Sequence, residues 1–193
     1  DRDALALAAG QQHATFAERR VQPLRQGFDE IQCMRGAQRI VVTTGQLAEL
    51  REIACGEQFE MLADDEVARG REDFSGDMAA YDVAFDAIAA DPNNTLYVWD
   101  HQGEVMGCLQ LTFIPGMSYH GSWIAKVEGV RVDRSLRGLG IGEQMMDAMI
   151  AKSRARGCKQ LQLTTDKRRE AAQRFYARLG FDASHEGMKI NLL

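Results

Sequence analysis

Apolar and polar residues alternate along several short stretches of the chain, which is the pattern expected of β-strands. The predicted strands are Arg39–Thr43, Thr95–Trp99, Val105–Phe113, Ile124–Val132, Leu161–Thr165 and Met188–Leu192. A short stretch that contains glycine, Asp100–Gly103, separates the second strand from the third and predicts a hairpin there. The stretch Ile114–Gly121, before the fourth strand, is predicted to be a loop.

Between these strands, apolar residues recur every three or four positions, which is the spacing of an amphipathic helix. Helices are predicted from near Gln46 onwards, over Met78–Ala90, from the glycine-rich stretch 137–142 to Arg156, and over Glu170–Leu179. Met145, Met146 and Met149 share one face of the third helix and are predicted to lie in the core. Strands that alternate with helices around a central hairpin predict a mixed α/β fold, in which a central mixed sheet carries helices on both faces.

The chain has 193 residues, which is enough for one domain with its own hydrophobic core. Apolar periodicity is weak over residues 1–36, so this stretch is interpreted as a partly helical N-terminal extension and residues 37–193 as the domain. No run of about 18 apolar residues is present, which argues against a membrane span. The start lacks a basic stretch followed by an apolar one, so no secretory signal is predicted.

Cysteines occur at Cys33, Cys55, Cys108 and Cys158. None lies in a CxxC pair and the spacing matches no zinc pattern, so no metal site is expected. Such thiols in a domain of this size are typical of a reduced, cytoplasmic protein, in which they serve as small buried hydrophobic residues.

The formal net charge of −5 hides a strong asymmetry along the chain. The stretch 57–91 carries a net charge of −9, whereas the stretch 131–193 carries +6. The overall acidity, with a pI near 5.4, disfavours a nonspecific nucleic-acid binder, whose surface would be basic. Solvated helical faces account for such a distribution without any ligand; alternatively, the two stretches face ligands of opposite charge.

Three alternating glycines occur in the stretch Arg137–Gly142, at the start of the third predicted helix. A helix N-terminus leaves backbone N–H groups unpaired and carries partial positive charge, and glycines let a phosphate approach those groups closely. Glu143 stands where the dinucleotide fingerprint GxGxxG needs its third glycine, and the lysine of a GxxxxGK[ST] phosphate loop is missing. The stretch therefore predicts a pyrophosphate site of another kind, or else a tight turn without a ligand.

Three segments together resemble the GNAT N-acetyltransferase superfamily. Arg137, Gly140 and Gly142 fill the fixed places of that family's [RQ]-x-x-G-x-[GA] pyrophosphate segment. Residues 130–132 (Val-Arg-Val) resemble the strand that splays open to hold the pantetheine arm of acetyl-CoA, and residues 175–181 (Phe-Tyr-Ala-Arg-Leu-Gly-Phe) resemble the family's FYxxxGF helix end. The closing stretch of the chain resembles a bacterial subgroup whose acceptors are mostly undefined.

The resemblance implies a GNAT-like sheet with a splayed strand pair, and acetyl-CoA as the cosubstrate. The residues that it assigns to acetyl-CoA are Val130, Arg131, Val132, Arg137, Gly138, Leu139, Gly140, Ile141, Gly142, Glu143, Arg169 and Phe175. Arg169 stands where family members often carry an asparagine. It is interpreted as a contact to a CoA phosphate, together with Lys167 and Arg168, unless this basic run is simply solvated.

Amide formation from a thioester needs a group that takes a proton from the amine, because a free alkylamine has a pKa of about 10.4. Glu128, two residues before Val130, stands where many GNAT members carry such a glutamate; otherwise it is a surface residue of its strand. The resemblance places an N–H donor for the oxyanion near Arg131 or Val132. It makes Tyr176 the proton donor to the departing thiolate, the alternative being an aromatic residue of the core.

In this family the two helices after the first strand line the acceptor site, a region that here includes the acidic stretch 57–91. The sequence thus predicts a cationic acceptor, such as a polyamine, an aminoglycoside or a lysine-bearing peptide. The candidate acceptor residues are Asp64, Asp65, Glu66, Glu72 and Asp73. His120 and Trp123 either edge the same cleft or are loop and packing residues.

The leading hypothesis is an acetyl-CoA-dependent N-acetyltransferase, which is an acyltransferase. The alternative is a non-catalytic acyl-CoA-binding sensor or regulatory protein with the same fold, although the presence of both Tyr176 and Glu128 argues against it. An O-acyltransferase, or an enzyme for longer acyl chains, also stays open. The expected partners are a small-molecule or peptide amine and a second copy of the chain, since dimers are common in the family, but neither a nucleic acid nor a membrane.

Overall fold

A five-stranded sheet is the frame of the protein in the computed structural model, which describes residues 38–42, 79–101 and 104–192. The predicted extension 1–36, the helix near Gln46 and the acidic stretch up to residue 78 lie outside these ranges. Of the helices that the described ranges contain, none combines the length and the apolar run that crossing a bilayer requires.

The strands follow one another across the sheet in chain order, β1-β2-β3-β4-β5. Their bounds are Gln38–Val42 (β1), Asn94–His101 (β2), Glu104–Pro115 (β3), Trp123–Val132 (β4) and Gln160–Leu163 (β5). The first four strands pair antiparallel, whereas β4 and β5 pair parallel, so the sheet is mixed as predicted. The helices are Ala79–Ala90 (α1), Ile141–Ala155 (α2) and Glu170–Arg178 (α3), and short helical turns cover Ser118–Gly121 and Arg134–Leu136.

Each face of the sheet carries a helix, because alternate side chains of a strand point to opposite faces. On one face, the buried methionines of α2, Met145, Met146 and Met149, pack in the main core. The sheet residues of that core include Tyr97, Trp99, Leu109, Leu111, Ala125 and Val127. On the other face, Phe85 of α1 packs with Leu96, Val98 and Cys108. The predicted arrangement of helices on both faces is therefore confirmed, as is the core role of the methionines.

Three predicted boundaries are wrong. Asp100 and His101 belong to β2 rather than to the loop, since His101 is in register with Glu104. Strand β5 ends at Leu163, because a turn begins at Asp166, whose carboxylate accepts a hydrogen bond from the N–H of Arg168 (2.9 Å). Strand β3 likewise extends to Pro115, inside the stretch predicted to be a loop.

The predicted terminal strand Met188–Leu192 has no regular structure. Its apolar side chains alternate, as a strand's would, but Met188 and Ile190 are almost fully exposed. None of the strands within the described ranges pairs with this stretch. An alternating pattern alone does not make a strand, because each strand also needs a partner for its backbone hydrogen bonds.

Arg156, at the end of α2, contacts strands β3 and β4 and the turn before β2. Its guanidinium lies over the rings of Phe113 (5.3 Å to the centroid) and Trp123 (4.9 Å), and it donates a hydrogen bond to Oδ1 of Asn93 (3.0 Å). Cation–π contacts at exposed sites contribute about 0.5–1 kcal/mol each. The contact also gives Trp123 a packing role.

We expect Arg156→Ala to lower the free energy of unfolding by about 1–2 kcal/mol, since two ring contacts and one hydrogen bond are lost. Urea unfolding followed by circular dichroism measures the change. The matched control is Arg154→Ala, which removes the same charge from an exposed position on the same helix turn and should change stability by less than about 0.5 kcal/mol. Equal losses in the two variants would contradict a specific role for Arg156.

Candidate active site

Strands β4 and β5 separate towards one end and leave a gap. Their parallel pairing ends at Val127 and Leu163, whereas β4 continues beside β3 as far as the pair Val132 and Gly107. The part of β4 from Glu128 to Val132 is thus paired on one side only, as far as the described strands show. Within this part, the carbonyls of Val130 and Val132 accept hydrogen bonds from the side chains of Arg131 (2.9 Å) and Arg137 (3.1 Å), so a ligand in the gap would meet the other backbone groups of the edge. This geometry agrees with the splayed strand pair that the sequence predicts.

The glycine-rich turn lies where β4 ends and α2 begins. Asp133 caps the short turn Arg134–Leu136 by accepting a hydrogen bond from the N–H of Ser135 (2.8 Å). Gly140 then serves as the N-cap of α2 with a φ of 82°, a left-handed conformation that favours glycine. The side chain of Arg137 donates from Nε to the carbonyl of Val132 (3.1 Å), which ties this turn to the end of β4. The N-terminus of α2 therefore opens next to the gap.

Phe175 connects α3 to the start of α2. A Cβ atom on Gly142 would lie 3.4 Å from Cζ of Phe175 and 3.6 Å from Cγ2 of Val132. A Cβ atom there would thus make only ordinary contacts, and the distances show that the ring of Phe175 packs beside the first turn of α2. Val132 of β4, Gly142 of α2 and Phe175 of α3, all predicted cofactor residues, thus lie next to one another.

Tyr176 lies half-buried beside the end of β4. Its ring contacts Phe175 (centroids 5.1 Å apart) and Phe181 (5.8 Å), both edge-on. Burial raises the pKa of the Tyr176 hydroxyl above its ordinary value, while the positive charges of Arg131 and Arg169 act in the opposite direction. The hydroxyl therefore stays protonated at neutral pH and is close to two cations.

The basic residues before α3 divide into two kinds. Lys167 forms an ion pair with Glu186 (3.2 Å), and Arg168 forms two hydrogen bonds to the carboxylate of Asp166 (3.0 and 2.8 Å). Arg169 is half-buried at the N-cap of α3 and influences Tyr176. The structure thus supports a site role for Arg169 more than for its two exposed neighbours.

Glu128 lies on β4 at the mouth of the gap, and its side chain is exposed (45% accessible). Its Oε1 is 2.9 Å from Nζ of Lys126, and Gln110 is its partner across on β3. Sequence reasoning did not assign a role to Lys126. The signal was present, because residues two apart on a strand project on the same face.

Other residues predicted from the sequence do not lie beside the gap between β4 and β5. Trp123 begins β4 and therefore lies at the end of the strand opposite the gap, and His120 lies in the turn before it, with a φ of 62°. Both residues thus lie away from the gap. Their place at the edge of the acceptor cleft stays a prediction, because the acceptor candidates lie outside the described ranges. The acceptor candidates Asp64, Asp65, Glu66, Glu72 and Asp73 lie outside the described residues.

Cys108 is in register with Arg131 across the sheet, but the environment of its thiol makes it unreactive. Only 1% of the residue is accessible, and burial raises the pKa of the thiol to about 12, against a smaller opposite effect of Arg131. We expect iodoacetamide to leave Cys108 unlabelled in the native protein and to label it after unfolding, as mass spectrometry would show. Rapid native labelling at neutral pH would contradict the burial of this thiol.

Comparisons with known proteins agree with this geometry. Residues 50–181 match the Acetyltransferase (GNAT) family. The chain is 31% identical over 109 residues to the aminoalkylphosphonate N-acetyltransferase of Salmonella typhimurium, covering 56% of this chain and 70% of that one. It is 32% identical over 97 residues to the glucosamine 6-phosphate N-acetyltransferase of Trypanosoma brucei brucei, covering 49% and 64%.

A solved structure from Bacillus halodurans C-125, described as a transcriptional regulator, is 42% identical to this chain. It superposes with a TM-score of 0.72 and covers 80% of this chain and 99% of its own. The match to the family spans more than half of the sequence and includes the gap, the glycine turn and Tyr176. This chain therefore belongs to the GNAT family of acetyltransferases.

Proposed function

We propose that the protein transfers the acetyl group of acetyl-CoA to the primary amine of a small, positively charged molecule or peptide, by direct attack of the amine. The observation that carries this proposal is the one-sided end of β4, Glu128–Val132, which is bounded by the glycine turn and by Tyr176. A carboxylate, a strand edge that no described strand covers and a protonated hydroxyl thereby lie around one opening.

The residues around the gap suit acetyl-CoA. Gly138 and Gly140 have positive φ angles, and a Cβ atom added to either would meet only open space, so a pyrophosphate has room to approach the N-terminus of α2. Arg137 adds positive charge beside this N-terminus. The pantetheine arm is an extended chain with amide groups, and the edge of β4, which no described strand covers, suits backbone hydrogen bonds of the kind it needs.

The base in this proposal is Glu128. An alkylammonium group must lose a proton before its nitrogen can attack, and an exposed carboxylate at the mouth of the gap takes that proton directly or through a water molecule. As the new C–N bond forms, negative charge develops on the thioester oxygen. A backbone N–H of β4 near Arg131 or Val132 is placed to stabilise that charge.

The acid in this proposal is Tyr176. When the C–S bond breaks, the phenol donates its proton to the departing sulfur, and the charge of the nearby Arg131 and Arg169 stabilises the phenolate that results. Direct attack is preferred to an acyl-enzyme at Cys108, because a buried thiol with a pKa of about 12 supplies almost no thiolate at neutral pH.

The charge of the acceptor is inferred from two sources. The stretch 57–91, with its net charge of −9, favours an acceptor with a positive charge, which the ammonium group of a primary amine supplies at neutral pH. The two curated relatives are named for an aminoalkylphosphonate and for glucosamine 6-phosphate, which are amines that also carry a phosphorus oxyanion. A test of function should therefore include both amines that are purely cationic and amines that also carry a phosphorus oxyanion.

A second candidate function is an acyl-CoA sensor that regulates other proteins. It is favoured by the description of the Bacillus halodurans relative as a transcriptional regulator. Such a protein would need the binding gap but neither the base nor the acid. The two functions therefore differ in turnover, not in binding.

Release of CoA thiol, measured in the presence of acetyl-CoA and a panel of amines, tests the proposal. The panel should contain a polyamine, an aminoglycoside, a lysine peptide, an aminoalkylphosphonate, glucosamine 6-phosphate and a hydroxyl compound without an amine. Amine-dependent release, with the N-acetyl product identified by mass spectrometry, supports the proposed function. Tight binding of acetyl-CoA without release for any amine would instead identify a sensor.

A further inference from the structure

A polar surface extends across four strands, beside the contact between α1 and the sheet. Its members are Asn94, Gln110, Thr112, Lys126, Glu128, Gln160 and Gln162, and we call them the polar face. They share the side of the sheet that carries α1. Gln110 is in register with Leu96, which packs with Phe85 of α1, and with Glu128 on β4. The other members lie in register with these residues or two positions from them along a strand. A surface so rich in amides and charge next to the gap is suited to a polar ligand.

Lys126 is the one cation among these seven residues. It lies between two neutral hydrogen-bonding side chains, since Thr112 is its partner on β3 and Gln162 its partner on β5. Its ammonium group contacts Glu128 at 2.9 Å, and its side chain is 35% accessible. A lysine has three N–H donors, so two remain after the contact with Glu128.

Part of the polar face is held rigidly. Oδ1 of Asn94 accepts hydrogen bonds from Nε2 of Gln110 (2.9 Å) and from the hydroxyl of Thr112 (3.1 Å). These bonds fix the side chains next to Lys126 and Glu128 on the β3 side. On the β5 side, Gln162 uses one N–H towards Gln160 (3.1 Å) and keeps a second for another acceptor.

We propose that Lys126, with Gln162 beside it, binds an oxyanion of the acceptor. The acceptor is then a zwitterion: its primary ammonium group supplies the positive charge of the proposed function, and a phosphonate, phosphate or carboxylate group lies a few bonds away. The inference rests on the proposed function, in which Glu128 takes the proton of that amine. The backbone of Lys126 lies two residues, about 6.6 Å, further from the gap along β4 than that of Glu128, while its Nζ contacts Oε1 of Glu128 at 2.9 Å. The oxyanion therefore binds Nζ on the side away from Glu128, and the amine, a few bonds further on, lies next to that carboxylate.

The test compares three acceptors of similar length: 2-aminoethylphosphonate, 3-aminopropanoate and propylamine. In Lys126→Met, kcat/KM for the oxyanionic acceptors is expected to fall about 10- to 100-fold relative to propylamine, mainly through KM, because a charge-assisted hydrogen bond is lost. Lys126→Arg should restore most of the preference. The phosphonate and the carboxylate, compared with each other, show which oxyanion the site takes.

The decisive quantity is the ratio of kcat/KM between oxyanionic acceptors and propylamine. Any effect of Lys126 on Glu128 changes kcat/KM for every amine alike and so cancels in this ratio. Lys159→Met is the matched control, since it removes an exposed lysine at the far end of the β4–β5 pair and should leave the ratio unchanged. A ratio that stays constant in Lys126→Met would overturn the inference, as would a wild-type protein that prefers propylamine. Absence of turnover with every amine would instead contradict the proposed function itself.

Discussion

Replacing Tyr176 with phenylalanine is expected to lower kcat for acetyl transfer by about 100-fold or more, while KM for acetyl-CoA changes little. The ring would keep its edge-on contacts with Phe175 and Phe181, so the fold and the binding gap should persist. Only the proton for the departing thiolate is removed. Steady-state kinetics of CoA release, with acetyl-CoA binding measured by calorimetry, separates the two effects.

Tyr97→Phe is the matched control, because Tyr97 is also buried and burial also raises the pKa of its hydroxyl, yet it lies on β2, away from the gap. Its kcat should stay within about threefold of the wild type. The pH profile offers a second readout. Burial raises the pKa of the Tyr176 hydroxyl above its usual value near 10, so the phenol stays protonated up to at least pH 10. Deprotonation of Tyr176 should therefore lower kcat only above pH 10. Full activity of Tyr176→Phe would remove this residue from the mechanism.

Replacing Gly140 with valine is expected to raise KM for acetyl-CoA by about 100-fold. The residue has a φ of 82°, which a β-branched side chain adopts only with strain of about 1–2 kcal/mol. In addition, the new side chain would project into the open space above the first turn of α2, where a pyrophosphate needs to approach the backbone N–H groups. Loss of two or more charge-assisted hydrogen bonds is enough for an effect of this size.

Gly157→Val separates the two causes. Gly157 lies at the other end of α2 with a φ of 79° and equally open surroundings, so valine there imposes a similar backbone strain without obstructing the glycine turn. Both variants should lose comparable stability in thermal unfolding, but only Gly140→Val should lose affinity for acetyl-CoA. If both lost affinity equally, the effect would come from destabilised α2 rather than from a pyrophosphate site.

Much of the described fold follows from periodicity in the sequence. In α1, the three residues that are not exposed are Tyr81, Phe85 and Ile88, which the helical spacing predicts to share one face. Periodicity does not predict whether a segment forms a strand when that depends on a second strand to pair with. Met188–Leu192 alternates as a strand should, yet none of the described strands pairs with it, because an alternating pattern does not by itself place a neighbouring strand alongside.

The candidate site was less accessible to sequence reasoning, because its parts come from distant segments. The glycine stretch could be placed at the start of a helix, since glycines, a preceding strand and an apolar stripe are all local signals. The influence of Arg131 and Arg169 on Tyr176 depends on how α3 packs beside β4, which no local pattern encodes. Lys126 was overlooked for a different reason, since a lone lysine on a strand is usually only solvated.

The sequential order of the strands has a consequence for folding. The antiparallel pairs β2–β3 and β3–β4 join strands that follow each other directly along the chain, so these contacts have a low contact order and favour rapid folding. Strand β1, by contrast, pairs with β2 across more than fifty residues, as in the pair Val42 and Tyr97. The parallel pair β4–β5 is different, because it closes only after α2 has crossed between the two strands. The gap beside β4 exists only once that crossover is complete, so it is expected to form after the β2–β3–β4 part of the sheet.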